Sequence, residues 1–158
     1  RTWEDFAGVD HRTRDFAILS EPSIISAGGG RFVLLARTSN KFDYMLRSAS
    51  GDGGATWFRP ERTEMQGHPP FMLTLPGGEI GCFYANHHKK RGLRLCVSRD
   101  AGESWDTDDI ADILPAADGE TLRGPAVMAL PGGGFLAVFL AEDQSGATRI
   151  DALRFEIS

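Results

Sequence analysis

The phrase Ser50-Gly51-Asp52-Gly53-Gly54-Ala55-Thr56-Trp57 recurs as Ser98-Arg99-Asp100-Ala101-Gly102-Glu103-Ser104-Trp105, so both copies read Ser-x-Asp-x-Gly-x-[Ser/Thr]-Trp. This spacing describes a reverse turn. The Asp carboxylate can accept backbone N–H groups further along the turn, the Gly can take positive φ, and the Trp can fold back as an apolar plug. A turn of this kind fastens two strands and supplies no catalytic group. Arg1-Thr2-Trp3 matches the end of the same phrase, and Trp3, Trp57 and Trp105 then recur at about fifty residues, the length of one four-stranded unit in a repeat protein.

A second phrase fills the space between the turns. Glu21-Pro22-Ser23-Ile24-Ile25-Ser26 leads through a hairpin at 27–30 to Arg31–Arg37. Pro70–Gly78 likewise leads to Ile80–Tyr84, and Pro125–Gly133 to Phe135–Phe139. These apolar runs bounded by Gly-rich turns predict strands, and their near-continuous apolar character predicts strands covered on both faces. Third strands are expected at about 43–48, 93–98 and 148–156, and an outer strand within 4–20. The chain is therefore expected to be all-β, with repeat units at about 4–57, 58–105 and 106–158. The last unit has no turn phrase and no fourth strand of its own.

The turn phrase resembles the Asp box of the sialidase (neuraminidase) family and related BNR-repeat proteins. On that resemblance Ser50, Asp52, Gly54, Thr56 and Trp57, with Ser98, Asp100, Gly102, Ser104 and Trp105, are structural. The fold it implies is an Asp-box six-bladed β-propeller, of which this chain supplies three four-stranded blades, matching the C-terminal half.

Meander geometry puts the Gly-rich hairpins and the turn phrases on one face of such blades. Glu21, Arg37, Asn40, Tyr44, His68, Asn86, His87, His88, Arg94, Arg123 and Arg149 fall on the other. There Glu21, before a Pro-Ser-hydrophobic strand, resembles the sialidase Glu that activates a tyrosine nucleophile. Arg37 resembles one of the arginines that clamp the substrate carboxylate, a task suited to a planar guanidinium. The two could equally pair as a structural bridge. Arg94 resembles a further clamp arginine, although it stands four residues before Ser98 where some sialidases have two. His68, Arg123 and Asn40 complete the candidate substrate-binding set.

One departure from the family matters. The family's tyrosine nucleophile belongs at the head of the strand that opens here with Arg123-Gly124-Pro125, and Tyr44 and Tyr84 are the chain's only tyrosines. The resemblance therefore implies a sialidase-like glycoside hydrolase propeller that acts on or binds glycans and is incomplete as a catalyst alone. The alternative is a non-catalytic carbohydrate- or protein-binding propeller. Neither reading calls for a metal or cofactor, because His87-His88 and His68 lack a chelating spacing.

A net charge of −5 argues against a nucleic-acid partner, and no apolar run is long enough to span a bilayer. Compartment, secreted or cytoplasmic, is not decided by the sequence. Cys82 and Cys96 are equidistant from Lys89, so a hairpin centred there sets them opposite each other, either as buried thiols or as a disulfide. Three blades leave a bare flank at each end. Two copies exchanging the strand near 4–8 would close a homodimeric ring; otherwise a missing N-terminal half of the same polypeptide closes it.

Overall fold

The computed structural model describes residues 7–9, 19–39 and 42–157, and every regular element in them is a β-strand. A first sheet holds β1 (Leu19–Gly28), β2 (Arg31–Thr38), β3 (Tyr44–Ser50) and β4 (Glu61–Gln66). The second holds β5 (His68–Thr74), β6 (Ile80–Asn86), β7 (Gly92–Ser98) and β8 (Ala111–Pro115). The third holds β9 (Thr121–Ala129), β10 (Phe135–Glu142) and β11 (Thr148–Phe155). Each sheet is an antiparallel meander, so consecutive strands are spatial neighbours. The four-stranded blade holds for the first two sheets, and the third has three strands among the described residues, in keeping with a last unit that has no fourth strand of its own. The outer strand expected within 4–20, the Trp3 repeat, the strand near 4–8 and Asn40 fall wholly or largely outside the described residues.

The sheets pack face to face, and this explains the apolar runs. β6 is buried along its whole length because it lies between two neighbours. Val33, Leu35, Met45 and Met65 of the first sheet close over Met72, Cys82, Tyr84 and Cys96 of the second. On the other side Leu75, Phe83 and Leu95 meet Val127, Phe135 and Ala137 of the third sheet, where Phe135 stacks on Phe155 at 5.5 Å. Each fully buried Leu or Phe contributes about 1.5–3 kcal/mol, so these two seams are the main source of stability.

The two turn phrases fold alike. In the first, the Ser50 hydroxyl donates to Asp52 Oδ1 at 2.8 Å and accepts the Gly54 N–H at 2.9 Å, while the Thr56 N–H and hydroxyl donate to the Asp52 carboxylate at 2.8 and 2.6 Å. Ser98, Asp100, Gly102 and Ser104 repeat the pattern. The second turn also latches the first sheet. Arg47 donates to the Gly102 carbonyl and, at 2.6 Å, to Glu103, which Arg31 also holds. Gly102 is required there, since a Cβ would come within 2.8 Å of Val33 Cγ2.

The Thr56 and Ser50 hydrogen bonds hold the Asp52 carboxyl down at about 2, from an ordinary 3.8. At Asp100 slight burial works the other way, but the bonds from Ser104 and Ser98 outweigh it and hold that carboxyl at about 2 as well. A depressed folded-state pKa stabilises above the unfolded value, and the benefit is lost as pH falls through the folded one. The turns should therefore loosen between about pH 4 and pH 2. Asp52→Ala should lower the denaturation midpoint at pH 7 and flatten its fall over that acid range. Urea titrations of both proteins at pH 7 and pH 3 check this; an unchanged acid slope would remove Asp52 from the account.

Cys82 and Cys96 are register partners in the β6–β7 pair, and both are buried free thiols. Burial pushes both upward, Cys96 to about 12, so each packs as a neutral side chain.

Candidate functional site

The site lies where β1, β5 and β9 begin and β2 ends. In the β1–β2 pair the register slips between Ser20 and Ser23, which takes Glu21 out of the ladder with a positive φ of 50°. A non-Gly residue held in that region is uncommon, and such strain gathers at functional sites. Arg37 ends the ladder beside it and donates from Nη1 to Glu21 Oε2 at 3.2 Å. Asp43, also at positive φ (52°), comes in on the β2–β3 loop.

His68 opens β5 and sits between these carboxylates, with Nδ1 3.9 Å from Glu21 Oε2 and Nε2 3.8 Å from Asp43 Oδ2. Both separations exceed hydrogen-bond length, so His68 is flanked rather than bonded. Its ring packs against that of His87 at 4.8 Å, and His88 Nε2 lies 3.2 Å from Asp43 Oδ2. From the third sheet Arg123 reaches in while its Nε donates to Glu142 at 3.1 Å. Arg91 bonds the Glu120 carbonyl and Thr121. Arg37, Asp43, His68, His87, Arg91, Thr121 and Arg123 together line an open cleft of about 430 Å³.

Burial, followed by the neighbouring His68 and the Arg123 charge, lowers His87 to about 4. Burial and the charge on Arg37 lower His68 too, against the pull of Asp43 and Glu21. Near neutral pH each ring is then uncharged, with one donor and one acceptor nitrogen. Two cleft atoms are buried without a hydrogen-bond partner, Arg37 Nε and His87 Nε2. Buried polar atoms are rarely left so, and these two fit a polar ligand group entering the cleft. Among the described residues no group of His, Cys, Asp or Glu side chains is arranged to hold a metal ion.

Other sequence candidates fall elsewhere. Arg94 is buried in the second sheet, where its Nε donates to Asp112 at 2.7 Å, and it does not line the cleft. Arg149 bonds Glu120 and Asp151. Neither tyrosine lines the cleft: Tyr84 is buried in the seam between the first two sheets, and Tyr44 lies under the Arg62 guanidinium. Asp43, Arg91 and Thr121 are additions. The basic run at Lys89-Lys90-Arg91 reads as a solvated tip, and only the fold shows Arg91 turned toward β9.

Meander sheets packed face to face, with a polar cleft where their inner strands start, define a propeller-type protein. Residues 1–134 match the BNR repeat-like domain, and the chain belongs to that family. No curated protein sequence matches it significantly. Among solved structures it is similar to a protein of unknown function from Dyadobacter fermentans, at 26% identity and a TM-score of 0.80 over 96% of this chain and 41% of the other. It is also similar to the GH93 α-L-arabinofuranosidase of Fusarium graminearum in complex with arabinobiose, at 14% identity and a TM-score of 0.71 over 94% of this chain and 49% of that one. A third likeness is to the GH43 protein BlXynB of Bacillus licheniformis, at 13% identity and a TM-score of 0.62 over 86% and 27%. The chain thus spans less than half the length of each of these structures, and the last two likenesses are of fold.

Proposed function

We propose that this chain forms three blades of a six-bladed Asp-box propeller of sialidase-like type, and that its cleft binds an acidic glycan. The observation that carries the reading is the pair of unpartnered polar atoms, Arg37 Nε and His87 Nε2, in side chains lining a cleft that also presents Arg91 and Arg123. A planar guanidinium offers a carboxylate two parallel hydrogen bonds, and a neutral imidazole adds a third donor or an acceptor for a sugar hydroxyl. The arabinofuranosidase supports a sugar as the ligand class, since a propeller of the same fold was solved with arabinobiose.

Hydrolysis would need more than this cleft. Glu21 and Asp43 are carboxylates placed for proton transfer, but the strand head where the resemblance expects a tyrosine has Gly124 at φ 56°. That favours a second reading, glycan binding without turnover. Calorimetric titration with carboxylated and neutral oligosaccharides, run beside a fluorogenic sialoside assay, separates the two. Binding with preference for carboxylated sugars is the expected result. Turnover would make the cleft catalytic, and no binding to either sugar class would overturn the proposal.

A further inference from the structure

We infer that the cleft takes up its acidic ligand together with one proton, carried by the His68–His87 pair, so that mild acid tightens binding. The inference rests on the cleft's binding an acidic glycan and adds how that binding is regulated. His68 opens β5 and His87 directly follows β6, and their rings lie 4.8 Å apart at 43°. Two positive charges at that separation repel each other. The pair therefore holds one proton at most.

Charged groups face the pair from each sheet. In the first, Glu21 of β1 has its Oε2 3.9 Å from His68 Nδ1, Asp43 of the β2–β3 loop has its Oδ2 3.8 Å from His68 Nε2, and Arg37 ends β2. His88 and Arg91 come from the second sheet's own β6–β7 loop, and Arg123 from β9 of the third. Most of these charges are already matched: Arg37 with Glu21, His88 with Asp43, Arg123 with Glu142. With the cleft empty, burial then keeps both rings uncharged near neutral pH, helped at His87 by His68 and Arg123 and at His68 by Arg37. His87 holds its proton only below about pH 4.

A ligand carboxylate seated against Arg37 and His87 changes this balance. Arg37 Nε and His87 Nε2 are the two buried polar atoms of the cleft side chains that lack a partner. An anion within about 4–6 Å strengthens a neighbouring base's hold on its proton by roughly ten- to a thousandfold, which lifts His87 into the mildly acidic range. The proton comes from solvent, and the charged ring donates from Nε2 to the carboxylate as a charge-assisted hydrogen bond; no covalent bond to the ligand forms. Because the liganded ring holds the proton more tightly than the free one, affinity is lowest near neutral pH and rises as pH falls. The rise levels off near pH 4, where the free ring is protonated as well. A ligand without a negative charge takes up no proton.

Calorimetric titration with sialyllactose and trigalacturonate as carboxylated probes and lactose as the neutral one, in two buffers of different ionisation enthalpy, tests this. A carboxylated probe should gain roughly tenfold in affinity between about pH 7.5 and pH 5, with a buffer-dependent heat that reports proton uptake. The His87 imidazole resonances should titrate higher in the complex than in the free protein. His87→Gln should abolish the uptake and flatten the profile, whereas Lys89→Gln on the same loop should keep both. Binding indifferent to pH, uptake that survives in His87→Gln, or a His87 resonance unmoved by the ligand would each overturn the inference and leave the acidic-glycan reading standing. No binding of either carboxylated probe would overturn both.

Discussion

Arg37→Ala should weaken binding of a carboxylated glycan by roughly 10–100-fold, the equivalent of about 1.5–3 kcal/mol for hydrogen bonds to a charged group. The guanidinium has its Nη1 on Glu21 and its buried Nε on nothing, so the free edge is what a ligand would use. Stability should change little, because a half-exposed ion pair such as Arg37–Glu21 contributes about 0–1 kcal/mol. Arg37→Lys keeps the charge without the fork and should recover only part of the affinity. A second readout needs no ligand. The Arg37 charge helps hold His68 below its ordinary 6.5, so its removal should let His68 titrate higher, visible in the imidazole resonances. Unchanged affinity together with an unmoved His68 would take Arg37 out of the site.

The repeats were legible because a turn that needs Asp, Gly and Trp at fixed offsets leaves the same letters each time. The Cys82–Cys96 register followed from symmetry about one hairpin tip. Glu21 and Arg37 could be placed at one end of a strand pair from spacing alone, yet the slip that turns Glu21 out of the ladder is a backbone event with no letter of its own. Arg94 shows the limit of spacing. It keeps the expected strand, but its depth there leads the guanidinium to Asp112 and away from the cleft. Asp43 stands at the head of the expected third strand, but the structure leaves it on the β2–β3 loop, and nothing in the sequence linked it to His68 and His88. Met128, Val138 and Ile150 read as ordinary strand letters, and only the fold shows them exposed.

Gly67→Ala should destabilise the protein by about 4 kcal/mol, from backbone strain and overpacking combined. Gly67 has φ 129°, and a Cβ there would lie 2.4 Å from the Ala85 carbonyl oxygen and 2.8 Å from Tyr84 Cδ2. The oxygen belongs to a central strand and cannot step aside. Gly28 provides the comparison: its φ is 80° but a Cβ meets nothing within 4 Å, so Gly28→Ala should cost only about 1–2 kcal/mol of conformational strain. Position makes Gly67 matter to function as well. Its N–H donates to the Asp43 carbonyl at 3.0 Å, and the next residue is His68, so the corner that relieves the clash carries two cleft side chains with it. Urea denaturation should show the large loss for Gly67→Ala and the small one for Gly28→Ala. Titration of the folded Gly67→Ala protein, at a urea-free temperature where it remains native, should show weakened glycan binding. A loss below about 1 kcal/mol would mean that the β4–β5 corner relaxes without strain, and normal binding would mean that His68 and Asp43 keep their places independently of it.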